Sequence, residues 1–471
     1  MQHDYDRPPM HWIADLVYLV AGIAYLPVAL YNALVLRKNR RGWGQRFGGV
    51  PVRDPRRPRI WIHAVSLGEI NATPRLAAAL RERLPGTDIV FSTTTDTGYA
   101  RGVEFYGADR VFRFPLDFSM VVARVLRRVR PTIIVLVELE VWYNLVRMAT
   151  RRGIPVAVVN GRLTERSARR LRRLGPAARS MFADLAWVGA QDETIAGRFR
   201  SVGAPHDRVG VTSSLKWDSA AVTDRAGGAD ALAGALILDG SRPVWVCGST
   251  GPGEEAMILD AYREVLSRGK SVAHHVHGCP ANEPGVPLLV IVPRKPERFD
   301  EVGRLIEGAG FACVRRSLRP DGFAGAPCAD SAVILGDTMG ELRKFYSLAD
   351  VVFVGRSLVP LGGSDPMEVA ALGKPIVAGP HMENFESPVS VLRDAGAIRR
   401  VQSTGALASV IGELLGDATT REWMGAAARA VVLEHQGATQ RTVDQLVRLM
   451  AEAGRPGSGH SGAIPLESLD G

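Results

Sequence analysis

From Pro51 onward, short apolar runs alternate with amphipathic stretches, the pattern of parallel strands joined by crossover helices. Runs at RIWIHAV (from Arg59), DIVFSTT (Asp88), RVFRFPL (Arg110), TIIVLVE (Thr132), PVAVVN (Pro155) and LAWVGAQ (Leu185) predict the strands of a first lobe. Helical patterns separate them, including the very basic TERSARRLRRLG from Thr164. Over residues 219–242 the rhythm breaks into an Ala, Gly and Asp-rich stretch that reads as a linker. It then restarts with VWVCGS (Val244), LLVIVPR (Leu288), SAVILGD (Ser331), DVVFVGR (Asp350) and PIVAGP (Pro375), the strands of a second lobe ending in closing helices near residue 453. Residues 454–471 have linker composition and predict disorder. The expected architecture is α/β, with two Rossmann-like lobes over 44–218 and 243–453 that face a cleft, where strand ends of such sheets bind ligands.

The first forty residues follow a different rule. Trp12 to Leu36 is almost continuously apolar and as a helix would extend about 37 Å, against about 30 Å for a hydrocarbon core. Asp15, Pro27 and Asn32 interrupt it, so a single span and an anchor embedded in one leaflet both stay open, with the span preferred. The basic cluster RKNRRGWGQR that follows favours the cytoplasmic side and anionic headgroups. Residues 1–43 therefore read as a membrane anchor with a basic juxtamembrane segment, holding the lobes at the cytoplasmic face of an inner membrane. A cleaved signal peptide fits less well, because the first residues lack a basic region and no small-residue cleavage site follows.

Composition sharpens this picture in two places. The 471 residues, 46% apolar, suffice for two cores. The net charge of +9 is carried almost wholly by arginine, since only six of 58 basic residues are lysine. Arginine suits phosphate and carboxylate partners, although codon bias would produce the same excess. No recognition motif accompanies the charge, so nucleic acid is not an expected partner. The four cysteines are scattered without a C-x-x-C pair, as reduced thiols would be. Neither a G-x-G-x-x-G nor a P-loop sequence occurs, which disfavours dinucleotide and P-loop chemistry.

Candidate chemistry collects at the predicted strand ends. HAVSLGE puts Ser66, Gly68 and Glu69 on the loop after the first strand, where Glu69 is either a general base for a hydroxyl nucleophile or a carboxylate favoured by a helix start. VELEVW puts Glu138 and Glu140 at the same rim, for acid-base work or hydroxyl binding, or else in ion pairs with arginines. GSTGPGEE, GDTMGEL and LGGSDPMEVAALG are glycine turns entering helices, candidate backbone-amide cradles for anions. Arg294, Lys295 and Arg298 in PRKPERF could balance a departing phosphate. His274, His275, His277 and Cys279 lack a second ligand group at zinc spacing, and the D-x-D at Asp4 and Asp6 precedes the apolar segment, so no metal site is expected.

Taken together, IWIHAVSLGE, FSTTTDTG, VELEVWYNL, NGRLTERSARR, GAQDET, TSSLKWD, PRKPERF, LGDTMGEL and GPHMENF resemble, in order, the Kdo (3-deoxy-D-manno-octulosonic acid) transferases. The resemblance runs from the anchor to about Leu449. It implies a GT-B glycosyltransferase that moves Kdo from CMP-Kdo to a lipid A precursor (lipid IVA) in lipopolysaccharide synthesis, inverting and without cofactor or metal. On that resemblance Glu69 is the catalytic base, and Ser66, Gly68, Glu138, Glu140 and Arg162 serve the acceptor. Ser249, Thr250, Arg294, Lys295, Met339, Gly340, Glu341, Gly362, Gly363, Glu368 and Asn384 fall at donor-lobe positions that would hold CMP, with Glu368 a partner for ribose hydroxyls.

The chain also departs from the family pattern. Arg356 stands in GRSLVP where a glycine is usual, Ser364 and Asp365 replace His-Asn, Val369 and Tyr143 replace prolines, and Lys295 replaces a histidine. A stretch over 271–287 is extra. Asp365 beside a phosphate calls for a partner, for which Arg356 is the expectation. Two other readings follow: a GT-B transferase for another nucleotide sugar, and an inactive membrane-bound protein that binds nucleotide or lipid A precursor.

Overall fold

The computed structural model describes residues 11–34, 42–273, 286–323 and 332–453. Asp4, Asp6, the basic run 37–41, the histidine stretch with Cys279, Cys328 and the 454–471 tail lie outside the described residues.

The chain forms two compact units, 1–219 with 436–471, and 220–435. The first holds a parallel sheet of β1 (Arg59–His63), β2 (Asp88–Thr93), β3 (Val111–Arg113), β4 (Ile133–Val137), β5 (Val156–Gly161), β6 (Trp187–Ala190) and β7 (Val209–Val211), in the order β3-β2-β1-β4-β5-β6-β7. The central strands β1, β4 and β5 are buried along their whole length. Helices cover both faces, which is why those strands read as continuous apolar runs rather than alternating ones. Even Arg59 at the start of β1 is buried, its guanidinium paired with Asp88 at 2.8 Å.

The second unit repeats the plan with β8 (Val244–Thr250), β9 (Leu288–Pro293), β10 (Ala312–Arg315), β11 (Ala332–Leu335), β12 (Val351–Val354), β13 (Ile376–Ala378) and β14 (Ile398–Arg400), ordered β10-β11-β9-β8-β12-β13-β14 and all parallel. The apolar runs do not disclose β7, β10 and β14. Each is an edge strand of three or four residues and partly exposed, so it carries little hydrophobic signal.

Three boundaries differ from the sequence reading. From Ala220 the expected linker belongs to the second unit, and it contains a helix, Ala229–Leu236, that buries Leu232 and Leu236. The last helix, Ala438–Ala453, belongs to the first unit rather than closing the second lobe. Its Val443, Leu446, Leu449 and Met450 pack with Ile60, Leu76 and Leu80, each apolar side chain contributing about 1.5–3 kcal/mol on burial. Asp444 reaches Arg83 at 3.1 Å.

The third difference concerns the N-terminal helix, His11–Leu34. No helix among the described residues is long and apolar enough to cross a membrane, so the expected span finds no support. Asp15, one of the residues that interrupts the apolar run, instead docks this helix on the first unit. Its carboxylate accepts hydrogen bonds from the Ser119 amide (2.9 Å), the Ser119 hydroxyl (2.5 Å) and Asn144 Nδ2 (2.8 Å). Trp12, Leu16, Val17, Leu19, Val20 and Ile23 stay exposed. Arg46, counted with the headgroup-binding cluster, is buried and donates to the Thr94 carbonyl at 2.7 Å.

Candidate active site

In the first sheet the strand order reverses between β1 and β4, and in the second the central reversal lies between β8 and β12. The carboxyl ends of the strands flanking such a reversal leave a crevice in which open α/β sheets bind ligands.

In the first unit β1 runs into Ser66, which caps the short helix Leu67–Asn71 by accepting from the Glu69 amide. The Glu69 carboxylate folds back over that cap. Its Oε1 accepts from the Ser66 hydroxyl and its Oε2 from the Val65 amide, each at 2.8 Å. The two readings of Glu69 as helix-start carboxylate and as base are therefore compatible: the cap orients the acid. The turn is held from beside it by the FSTTTDTG segment, where the Thr94 and Thr95 amides donate to the Val65 carbonyl at 3.2 Å. A Cβ on Gly98 would lie 3.3 Å from that carbonyl, a closeness that favours glycine.

β4 delivers Glu138 and Glu140 to the neighbouring strand end. Glu138 has φ of 64°, a left-handed conformation uncommon outside glycine. Burial pushes the Glu69 carboxyl up to about 7, the Val65 amide and Ser66 hydroxyl pull against this, and the charges of Glu138 and Glu140 push the same way as burial. Burial likewise raises Glu140, opposed by Trp142 and helped by Glu138. Among the described residues none of the three carboxylates is in an ion pair, which decides against the arginine-pairing reading. Gly68 opens the turn, with nothing nearer to its Cβ position than Ser66 Oγ at 3.8 Å. Arg162 stands exposed just past β5. His63 at the end of β1 is sealed against Phe114, and burial drives its pKa down to about 3, so it is a neutral core residue.

In the second unit the expected amide cradle of GSTGPGEE is not open. Glu254, fully buried, fills it: its carboxylate accepts from the amides of Gly251 (2.9 Å), Ser357 (2.7 Å), Leu358 (2.8 Å) and Arg356. A protein anion already occupies the donors that a ligand anion would need. Thr250 gives its hydroxyl proton to Glu255 at 2.8 Å, and Glu255 is clamped by Arg298 at 2.6 and 3.1 Å. Arg298 is thus structural and does not face a departing phosphate. Glu341 is engaged by Arg316 (2.9 and 3.0 Å), Lys344 (3.0 Å) and Thr338. Burial raises its carboxyl, but these partners outweigh that and hold it at about 2.

The remaining donor-lobe residues lie at or near the strand ends. Ser249, with φ of 57°, is the penultimate residue of β8 and its carbonyl accepts from Ser364 at 3.4 Å. Gly362 and Gly363 both have positive φ, and a Cβ on Gly362 would sit 2.2 Å from Asn384 Nδ2, so this turn brings Asn384 against the glycines. Met339 and Gly340 form an exposed turn after β11. Arg294, exposed, follows β9, while Lys295 pairs with Glu297 at 3.5 Å. Glu368 is half-buried, its carboxyl raised by burial and lowered by Arg343 and Arg294. Asp365, two residues before the helix Met367–Ala371, accepts from the Met367 amide at 2.8 Å, and Arg356 donates to the Leu361 carbonyl at 2.9 Å. Glu254 escaped the sequence reading because an acid after a glycine turn looks like any helix-start carboxylate; only its four amide partners distinguish it.

The family model described as 3-deoxy-D-manno-octulosonic-acid transferase (kdotransferase) matches residues 41–219. The 3-deoxy-D-manno-octulosonic acid transferase of Bordetella pertussis is 37% identical over 87% of this chain and 94% of its own length. That of Haemophilus influenzae is 33% identical over 82% and 86%. The chain belongs to the Kdo transferase family. As a member it is a glycosyltransferase, and its two parallel-sheet domains resemble GT-B enzymes. The crystal structure of MurG from Acinetobacter baumannii shares this fold, with a TM-score of 0.50 at 14% identity over 83% of this chain and 99% of that one.

Proposed function

We propose that this transferase moves Kdo from CMP-Kdo to a hydroxyl of a lipid A precursor in lipopolysaccharide synthesis. The observation that carries the reading is Glu69, a carboxyl held at the β1/β4 reversal by one amide and one hydroxyl, with its pKa pushed up to about 7. A base of that pKa is half deprotonated near neutral pH and takes a proton with useful driving force. The acceptor hydroxyl oxygen attacks the anomeric carbon of Kdo, its proton passes to Glu69, and the bond from that carbon to the CMP phosphate oxygen breaks with the electron pair leaving on CMP. Attack from the face opposite the leaving group inverts the centre. Arg294 supplies positive charge for the departing phosphate.

Two features support a lipid acceptor at a membrane surface. Beside Glu140, Leu139 and Val141 line a pocket of about 250 Å³ with Leu171, Met181, Phe182, Ser167 and Arg170, apolar enough for part of an acyl chain. The exposed apolar residues of the N-terminal helix, from Trp12 to Ile23, suit an anchor embedded in one leaflet, with the lobes on the cytoplasmic side of the inner membrane.

Transfer of radiolabelled Kdo, from CMP-Kdo generated in situ, to a tetraacyl lipid A precursor tests the reading. Wild type is expected to transfer and Glu69→Gln to lose transfer while staying folded. Equal transfer by the variant would remove Glu69 as base, and no transfer by folded wild type would remove the donor assignment.

A further inference from the structure

The reversal point of the second sheet carries a residue that costs the backbone something. Arg356, two residues past β12, has φ of 60°, in the left-handed region that favours glycine and disfavours a side chain with a Cβ. Its amide is held in that conformation by the buried Glu254 carboxylate, and its carbonyl accepts from the Gly363 amide at 2.8 Å. The side chain leaves over the end of β8: a Cβ on Gly251 would lie 3.1 Å from Arg356 Cγ. Its guanidinium donates to the Leu361 carbonyl, and among the described residues it has no carboxylate in an ion pair.

Arg294 stands on the other side of β8. Its amide donates to the Thr250 carbonyl at 3.2 Å, which ties the end of β9 to the same strand end. It too is in no ion pair among the described residues. Burial pushes the Arg356 guanidinium below its ordinary value, the Arg294 charge adds to this and the Glu254 charge opposes it. Two unpaired guanidiniums at the ends of three adjacent parallel strands repel unless an anion lies between them. The nearest buried anion, Glu254, has its oxygens committed to four amides and leaves little acceptor capacity for either arginine.

We propose that Arg356 and Arg294 form a two-arginine clamp for the phosphate of the donor nucleotide. This rests on the proposed nucleotide donor. Because Glu254 fills the amide cradle, side-chain guanidiniums replace the backbone amides that usually meet phosphate at such a turn. The left-handed strain at Arg356 is then the cost of aiming a fifth-atom fork at the phosphate from a position that a glycine would occupy without strain.

Titration calorimetry of the full chain in detergent with CMP, UMP and cytidine tests the clamp in wild type, Arg356→Gly, Arg356→Ala and Arg356→Lys. For Arg356→Gly and Arg356→Ala the CMP dissociation constant is expected to rise about tenfold or more, the range of a charge-assisted hydrogen bond. Cytidine binding should stay within about twofold, and lysine should restore part of the loss. The melting temperature separates this from a structural role: Arg356→Gly relieves the left-handed penalty, so Tm is expected to hold or rise while CMP binding weakens. A fall in Tm with unchanged CMP affinity, or equal losses for CMP and cytidine, overturns the clamp. Wild type that binds UMP but not CMP overturns the CMP donor and, if Arg356→Ala then loses UMP, leaves the clamp standing; wild type that binds neither overturns both.

Discussion

Glu69 and Glu254 occupy equivalent places. Each follows the first strand of its sheet, at the strand-order reversal, close to a glycine turn and a helix start. Each is buried, and burial raises both carboxyls. Their partners differ. Glu254 accepts four backbone amides, two on each oxygen, and so has used the acceptor sites of a carboxylate. Glu69 accepts one amide and one hydroxyl, and it faces two further carboxylates rather than more donors. A saturated carboxylate is a structural bolt, and a half-satisfied one keeps lone pairs for a substrate proton. The count of donors, rather than residue type or burial, separates them.

The sharpest way to break this comparison is to make both sites neutral. Glu69→Gln is expected to lower the transfer rate by about 10²–10⁴-fold while the variant stays folded. Glu254→Ala leaves the amides of Gly251, Arg356, Ser357 and Leu358 without their acceptor, and chemical denaturation is expected to show a loss of about 3 kcal/mol or more. A kinetic effect without destabilisation at Glu254 would show that it is not saturated.

The pH dependence sharpens it next. With Glu69 as base, kcat/KM should fall about tenfold per pH unit below about 7. Glu138→Gln removes a charge that raises Glu69, so the inflection should move to lower pH. Because the folded pKa lies above the ordinary carboxyl value of 4.5, the contribution of Glu69 to stability is fully present below about 4.5 and is lost as pH rises through about 7. Wild type minus Glu69→Gln, followed by denaturation against pH, should show that sign. Asp117, raised to about 7 by burial against the amides of Asn144 and Leu145, contributes in the same window and in the same direction, so Asp117→Asn is the control.

The smallest expected effect lies outside both reversal points. Asp15→Ala removes the acceptor for Ser119 and Asn144 and should loosen the N-terminal helix by about 1–3 kcal/mol, read as faster proteolysis between that helix and the first sheet.

Much of the fold was legible because buried parallel strands announce themselves. RIWIH, IIVLV and VWVCGST are apolar on both faces, and only a covered sheet accommodates that. The edge strands β7, β10 and β14 were not legible, since a half-exposed strand of three or four residues differs little from a loop. Nor was the return of Ala438–Ala453 to the first unit, which depends on which apolar surface its stripe fits best. Asp15 read as a flaw in a membrane span, but its partners lie more than a hundred residues away.

At the candidate site the motifs placed Glu69, Glu138 and Glu140 at strand ends, because strand-loop-helix punctuation is local and survives in one dimension. Thr250, Arg298 and Glu341 carried the same local signals, yet the structure commits their side chains to Glu255 and Arg316. The sequence alone determined two α/β lobes, the family and the loops where chemistry collects, since these depend on apolar periodicity and turn residues. Which carboxylates are saturated and which arginines stay unpaired was decided only by tertiary structure, because a hydrogen-bond donor finds its acceptor through space and not along the chain.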